Sequence, residues 1–419
     1  MSSTVPSTTI SLKKAFSFSA IESIGSRLFD FIALWIVLNT LPIEDLAKFG
    51  VATASIFFFN LIFFAPETAL FKYFNDWKDN NVLAEYLSSF YQFSYLKIAI
   101  HYILVLIVWI YSGSNWLFYA ITFSIITQNI QLAEISRIYL RLSLQQNKVA
   151  KFELISKIVL CLACITLYFF NSIETYFIIY LLWSILTSIY WLKFIRKEIK
   201  IKLVPLKIMG GNILKSSIGF SFWSHLSGVL TYFVYNGNLL FLEYYNTSID
   251  DIALYTAVNK VANLFFVIPM FFQSFVPVVL SSDRGHENKF IKLICVCAFL
   301  SISQYIFFLL FGENLGAFFG VESNRINDFY YLGIILCSGI LILNISRPLS
   351  TFLMIKQNAF SLMKVVFIPT SLIALCLYVT ITKKYGVSGA AIATSISYLY
   401  MSISLSIIFF LHKKRVKNG

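Results

Sequence analysis

Charge is what this sequence has least of. Only 13% of its 419 residues are Asp, Glu, Lys or Arg, about half the roughly 25% of a soluble domain. That scarcity excludes an ordinary soluble enzyme. Histidine is scarcer still, with four residues scattered along the chain, so no zinc-type cluster is encoded. No Walker A pattern occurs, which excludes that route to ATP. The cysteines (Cys161, Cys164, Cys295, Cys297, Cys337 and Cys376) all fall in apolar stretches. Cys161 and Cys164 form a CxxC with no second pair, and there it reads as small apolar filling rather than metal or redox chemistry. No cofactor and no catalytic residue is expected. Asp250-Asp251 and Asp76/Asp79 read as solvated loop carboxylates at membrane edges.

What the chain has instead is apolar bulk. Hydrophobic residues make up 58% of it, Phe alone counts 43, and the mean hydropathy is +0.76. No soluble core absorbs that much apolar surface, so the excess must face lipid. The net charge of +13 would suit nucleic acid, but no soluble domain is left to bind it. The basic residues lie between apolar segments, as membrane topology requires.

A span needs about 20 apolar residues. The sequence supplies about twelve such segments, roughly 16–40, 47–73, 85–111, 116–143, 149–170, 174–195, 213–242, 252–280, 289–311, 325–355, 359–382 and 387–411. The Ser/Thr-rich start and Lys13-Lys14 have the order of a signal peptide. The apolar run that follows is too long and lacks a cleavage pattern, so it reads as a retained first span. With the N-terminus in the cytoplasm, most Lys and Arg fall on the cytoplasmic side, while the opposite side carries Glu44, Asp45, Glu174, Glu243, Asp250, Asp251, Glu313, Glu322 and Asp328. Both termini are therefore expected to be cytoplasmic. Outer loops are short, which argues against a membrane glycosyltransferase or polymerase with an external domain.

The two halves repeat. Phe16-Ser17-Phe18 recurs as Phe220-Ser221-Phe222, and Asn60-Leu61 before Pro66 recurs as Asn263-Leu264 before Pro269. Ile135-Ser136-Arg137 recurs as Ile345-Ser346-Arg347, and Gln146-Asn147 as Gln357-Asn358. The offsets keep one order, at about 203 to 211 residues, the mark of an internal duplication. The expected fold is an all-α polytopic membrane protein in two six-helix lobes. They form a parallel repeat with a central cavity, divided as 1–195, a basic cytoplasmic linker 196–212, and 213–419. The linker alternates polar and apolar residues (Lys200-Ile201-Lys202-Leu203). It either rests on anionic lipid or only fixes orientation.

Ionisable groups in mid-span cost about 2.5–3.5 kcal/mol each, so they mark a cavity or a buried pair. The first span carries Glu22, Arg27 and Asp30, which fall within an arc of about 140° of one helix. Arg27 and Asp30 are spaced to pair. Lys260 lies well inside the eighth segment with no acid near it in sequence. Lys97 and His101 share a face, which predicts a wet face or snorkelling. Glu134 and Arg137 are spaced to pair; Arg137, like its repeat mate Arg347, is placed to snorkel. His225 reads either as an interhelical donor or as a proton carrier. Pro66 and Pro269 sit late in their predicted helices, where they kink them either as hinges or as fixed bends. Glu67 beside Pro66 is a candidate proton or cation site. The interior charges lean slightly basic, which suits an anionic headgroup such as a diphosphate. An acidic cavity would instead suit a multidrug or cation antiporter.

Phe29-Asp30 through Leu34, and then Leu41-Pro42-Ile43-Glu44-Asp45-Leu46-Ala47-Lys48-Phe49-Gly50, resemble the polysaccharide (O-antigen) repeat-unit flippases. In that family the first span ends in a short acidic loop that closes on a phenylalanine and a glycine. The segment number, the two lobes and the basic middle loop resemble the wider multidrug/oligosaccharidyl-lipid/polysaccharide exporter superfamily. The resemblance implies movement of undecaprenyl-diphosphate-linked oligosaccharide from the inner to the outer leaflet of a bacterial inner membrane. It also implies an alternating-access cycle coupled to a proton or sodium ion, with a polysaccharide polymerase and chain-length regulator as partners. No residue matches an invariant family ligand, so site expectations rest on charge and depth. Arg27, Lys260, Arg347, Lys97 and Arg137 are expected to bind substrate, and Glu22, Asp30, Glu67 and His225 to handle the coupling ion.

Overall fold

The computed structural model describes residues 11–113, 116–199, 212–282 and 287–418. Most of the basic linker and the Ser/Thr-rich start lie outside the described residues. The described chain is all α. Its first half runs α1 (Leu12–Thr40), α2 (Ile43–Ile62), a 3₁₀ turn (Pro66–Ala69) into α3 (Leu70–Asp79), α4 (Leu83–Ser112), α5 (Trp116–Leu142), α6 (Gln146–Cys164) and α7 (Ile173–Ile199). The second half runs α8 (Asn212–Tyr244), α9 (Ile249–Asn263), α10 (Val267–Ser282), α11 (Glu287–Phe318) and α12 (Ile326–Lys356). It ends in α13 (Ala359–Leu362), α14 (Ile368–Leu377) and α15 (Lys383–Asn418), with π turns at Met363–Phe367 and Tyr378–Thr382.

Each apolar segment of the sequence coincides with one helix or with helices joined at a break. Six helical stretches among the described residues are long and apolar enough to cross a membrane, or seven if Ile249–Phe266 and Pro269–Val278 form one bent span. The last of the six, Ala359–Lys414, is broken at Gly386, whose φ of 55° and ψ of −132° are not helical. Gly389 then lies so close to the preceding arm that a Cβ would sit 2.3 Å from the Ile381 carbonyl oxygen. The stretch therefore turns back on itself. Helices α1, α5 and α6 fall outside that count, and they carry the densest buried charge.

The prolines do not act where the sequence suggested. Pro66 does not kink α2 from within: the helix stops at Ile62, and Pro66 starts the next turn. A proline has no N–H to lose at a helix start. The repeat shows here, since the matching asparagine, Asn263, ends α9 before a second break at Leu264–Phe266.

The halves meet mainly where α2 packs against α8 and α9, and α1 against α10. On the side of the short loops the contact is tight. Trp35 Nε1 donates to the Phe318 carbonyl at 2.7 Å, and Asn39 Nδ2 to the same oxygen at 3.2 Å. Phe31 packs on Phe318 and Phe319. Gly50 of α2 faces Thr256 of α9 so closely that a Cβ would lie 2.0 Å from Thr256 Oγ1. The cavities described below lie toward the opposite side, where α1 begins and α5 and α12 end.

Candidate functional site

Three helices of the first half turn charged faces toward one another. Helix α1 supplies Glu22, Arg27 and Asp30. Helix α5 supplies Glu134, Arg137 and Arg141, at spacings that share a face. Helix α6 supplies Glu153 and Lys157. In a site with little water each charge needs a partner, and nearly all find one. Arg141 bridges Glu22 at 2.5 Å and Glu134 at 2.9 Å. Arg137 bridges Glu134 at 2.7 Å and Glu153 at 2.9 Å, and donates to the Ile130 carbonyl at 3.2 Å. Trp191 Nε1 donates to Glu153 at 3.0 Å. Asp30 is shared by Lys157 at 2.7 Å and half-exposed Arg27 at 3.5 Å.

These groups line a cavity of about 650 Å³. Lys260 enters its wall from α9 in the other half. Its ammonium donates to Thr53 Oγ1 at 3.1 Å and lies 4.7 Å from the centre of the Phe49 ring. No carboxylate among the described residues pairs with it. The lining holds five cations (Arg27, Arg137, Arg141, Lys157, Lys260) against four carboxylates (Glu22, Asp30, Glu134, Glu153). Lys260 is the charge left over.

The structure therefore gathers Glu22, Arg27, Asp30, Arg137 and Lys260 around one cavity and sends the other candidates elsewhere. Arg137 does not snorkel: it is buried and tied to two carboxylates. Lys97 and His101 are not on a wet face, because both are buried at the break after α2. That break frees backbone carbonyls, which need donors. Lys97 Nζ supplies one to the Phe64 carbonyl at 2.9 Å and reaches Gln131 Oε1 at 3.4 Å. His101 donates from Nδ1 to the Lys97 carbonyl at 2.8 Å and meets Ser124 at 2.9 Å. From the other half, His225 Nε2 donates to the Asn60 carbonyl at 2.7 Å, and Ser221 to that of Pro66 at 3.0 Å. Glu67 is buried beside them, facing Lys97, with Oε2 unpartnered. Arg347 does not snorkel either. Its Nε donates to Gln273 Oε1 at 2.9 Å, and its guanidinium lies 4.5 Å from the Phe266 ring centre.

Sequence reasoning did not place Arg141, Glu153 or Lys157 in a buried site. A signal was present: Glu153 and Lys157 are four apart in an apolar run, and Arg141 falls on the helix face of Glu134 and Arg137. Metal-binding groups of His, Cys, Asp and Glu are absent among the described residues.

No family model and no curated protein matches the chain. Solved structures do. One, an outward-facing conformation of a multidrug resistance MATE family transporter of the MOP superfamily, matches with a TM-score of 0.71 at 12% identity, covering 97% of both chains. Another, the lipid II flippase MurJ in an inward closed conformation, matches with a TM-score of 0.68 at 18% identity, covering 93% of this chain and 87% of that one. The chain thus has an all-α membrane-transporter fold, shared with a multidrug transporter and with a lipid flippase.

Proposed function

We propose that the protein is a flippase that moves lipid-diphosphate-linked oligosaccharide repeat units, such as O-antigen units, between membrane leaflets. The observation that carries this reading is the unneutralised ammonium of Lys260, which reaches from one half into the charged cavity of the other. A buried cation without a carboxylate favours an anionic headgroup. It opposes a cationic drug, which would need the reverse balance. The remaining charges are bound to each other and present a polar, hydrogen-bonding wall that suits sugars. Arg27, half-exposed at the cavity, helps to draw the headgroup in, while the lipid tail stays in the bilayer.

Coupling falls to Glu67 on this reading. Glu22 and Asp30 are already bridged by arginine or lysine, whereas Glu67 keeps one oxygen unpartnered at the contact between halves. Its protonation would alter the hold of Lys97 on the α2 break. The protein then works in a bacterial inner membrane with both termini cytoplasmic, beside a polymerase and a chain-length regulator. The halves are 1–195 and 213–419, joined by the basic linker.

The test uses proteoliposomes loaded with fluorescent undecaprenyl-diphosphate oligosaccharide, with leaflet exposure read by quenching. Lys260→Ala and Arg27→Ala should each cut translocation at least about tenfold, the scale of one lost charge-assisted hydrogen bond, at unchanged protein level. Parental rates in both variants would overturn the assignment.

A further inference from the structure

A second pocket, about 390 Å³ in volume, lies mainly in the second half between α8, α10 and α12, with Phe71 of α3 in its wall. Its size is within the range of small-ligand sites, about 300–1,000 Å³. It is too small for an oligosaccharide chain and large enough for a headgroup. No carboxylate lines it. Its one charge is Arg347, which, like Lys260 and unlike the other four cations of the first cavity, lacks a carboxylate partner. Arg137, Arg141, Lys157 and Arg27 each have a carboxylate partner. Arg347 has none among the described residues, and its Nη1 is buried without any hydrogen-bond partner.

A guanidinium in a membrane protein keeps an unpaired N–H at considerable cost. What holds Arg347 in place is Gln273 at Nε and the faces of Phe266 and Tyr235. Those contacts leave Nη1 without a partner on a guanidinium that lines the pocket, and a guanidinium is suited to holding phosphate oxygens. Ser224 and Thr351 also line the pocket, and neither hydroxyl is engaged by another described residue. Gly228 forms part of the wall, and a Cβ built there meets nothing within 4 Å. The helix leaves that space open to the pocket.

We propose that this pocket is the subsite for the diphosphate of the lipid-linked substrate, with Arg347 as its anion clamp and Ser224 and Thr351 as supporting donors. The inference rests on the flippase reading and sharpens it. Lys260 and Arg27 draw the headgroup in through the first cavity, which keeps the sugars, and Arg347 then clamps the diphosphate from the second half. The chemistry recognised is the diphosphate group itself, which a lipid-linked headgroup and a free diphosphate share.

The full-length protein in detergent is titrated with farnesyl diphosphate and, separately, with inorganic pyrophosphate. The parent should bind farnesyl diphosphate the more tightly. Arg347→Gln should weaken that binding about ten- to hundredfold, the scale of losing a charge-assisted pair. Gly228→Leu leaves every polar group in place and fills the open space, and it should weaken binding by at least tenfold without lowering thermal stability. Equal binding of both probes would assign the site to a soluble diphosphate and overturn the headgroup role. If both variants bind as the parent does while Lys260→Ala loses binding, the phosphates sit in the other cavity. The subsite is then wrong and the flippase reading stands. If none of the three variants alters binding and translocation is also unaffected by Lys260→Ala, both fall.

Discussion

Replacing Gly50 by alanine should open the short-loop side of the molecule. Helices α2 and α9 belong to different halves, and they touch where Gly50 meets Thr256. A methyl group at Gly50 would stand 2.0 Å from Thr256 Oγ1 and 3.0 Å from its Cβ and Cγ2. The first distance is about 1.4 Å short of ordinary contact, which begins at 3.4 Å. Thr256 is fully buried, and its β-branched side chain has little freedom at χ1 to turn Oγ1 aside. The helices must therefore part. Overpacking of this kind costs about 1–3 kcal/mol, and here it falls only on the arrangement in which this side is shut. At about 2 kcal/mol the balance between shut and open would shift by about thirtyfold. Spin labels at Glu44 and Glu322, after exchange of the native cysteines, would read the separation across that face. The expected result is a longer distance in Gly50→Ala. Adding Thr256→Ala, which removes the 2.0 Å contact, should return it most of the way. An unchanged distance in the single variant, or no return in the double, would refute the reasoning.

Other outcomes follow from the same geometry. Arg141→Ala strands Glu22 and unbalances Glu134, and leaving a buried charge unpaired costs about 3–5 kcal/mol; the melting temperature in detergent should fall markedly, and far less in Arg141→Ala combined with Glu22→Gln. Glu67→Gln should abolish the response of translocation to an imposed pH gradient while leaving downhill exchange intact, measured in the same proteoliposomes; a preserved response would remove Glu67 from the coupling step. Lys260→Ala and Arg27→Ala should slow translocation, and Arg347→Gln and Gly228→Leu should weaken diphosphate binding, each in the assays given above.

Much of the architecture was legible because it rests on strong signals. Lipid-facing apolar length sets the helices, and the duplicated Asn…Pro spacing marks both broken ones. The charges of α1 stood out for the same reason, since depth makes them expensive. The rest depended on what neighbours do. Lys97 in mid-span could equally line water or cap a neighbouring chain, and only the termination of α2 at Ile62 beside it decides for capping. Arg141, Glu153 and Lys157 lie within a few turns of helix ends, where sequence alone assigns basic residues to solvent; the packing of α1 against α6 turns them inward. Phe49-Gly50 was visible as a motif. Its use, one ring under the Lys260 ammonium and one missing side chain against Thr256, needed the second half of the molecule.

The interruption in α2 has a dynamic consequence. Three peptide oxygens there lean on side chains of separate bodies: Phe64 on Lys97 from its own half, Asn60 and Pro66 on His225 and Ser221 from the opposite one. Any rocking that draws α8 away orphans two of them together, in surroundings where each bare carbonyl is penalised by several kcal/mol. Water must then follow the motion into the gap, or the helix must rewind across the break. In the proposed transport cycle, the pace would be governed less by the cargo than by how quickly one imidazole and one hydroxyl can be relieved of their posts.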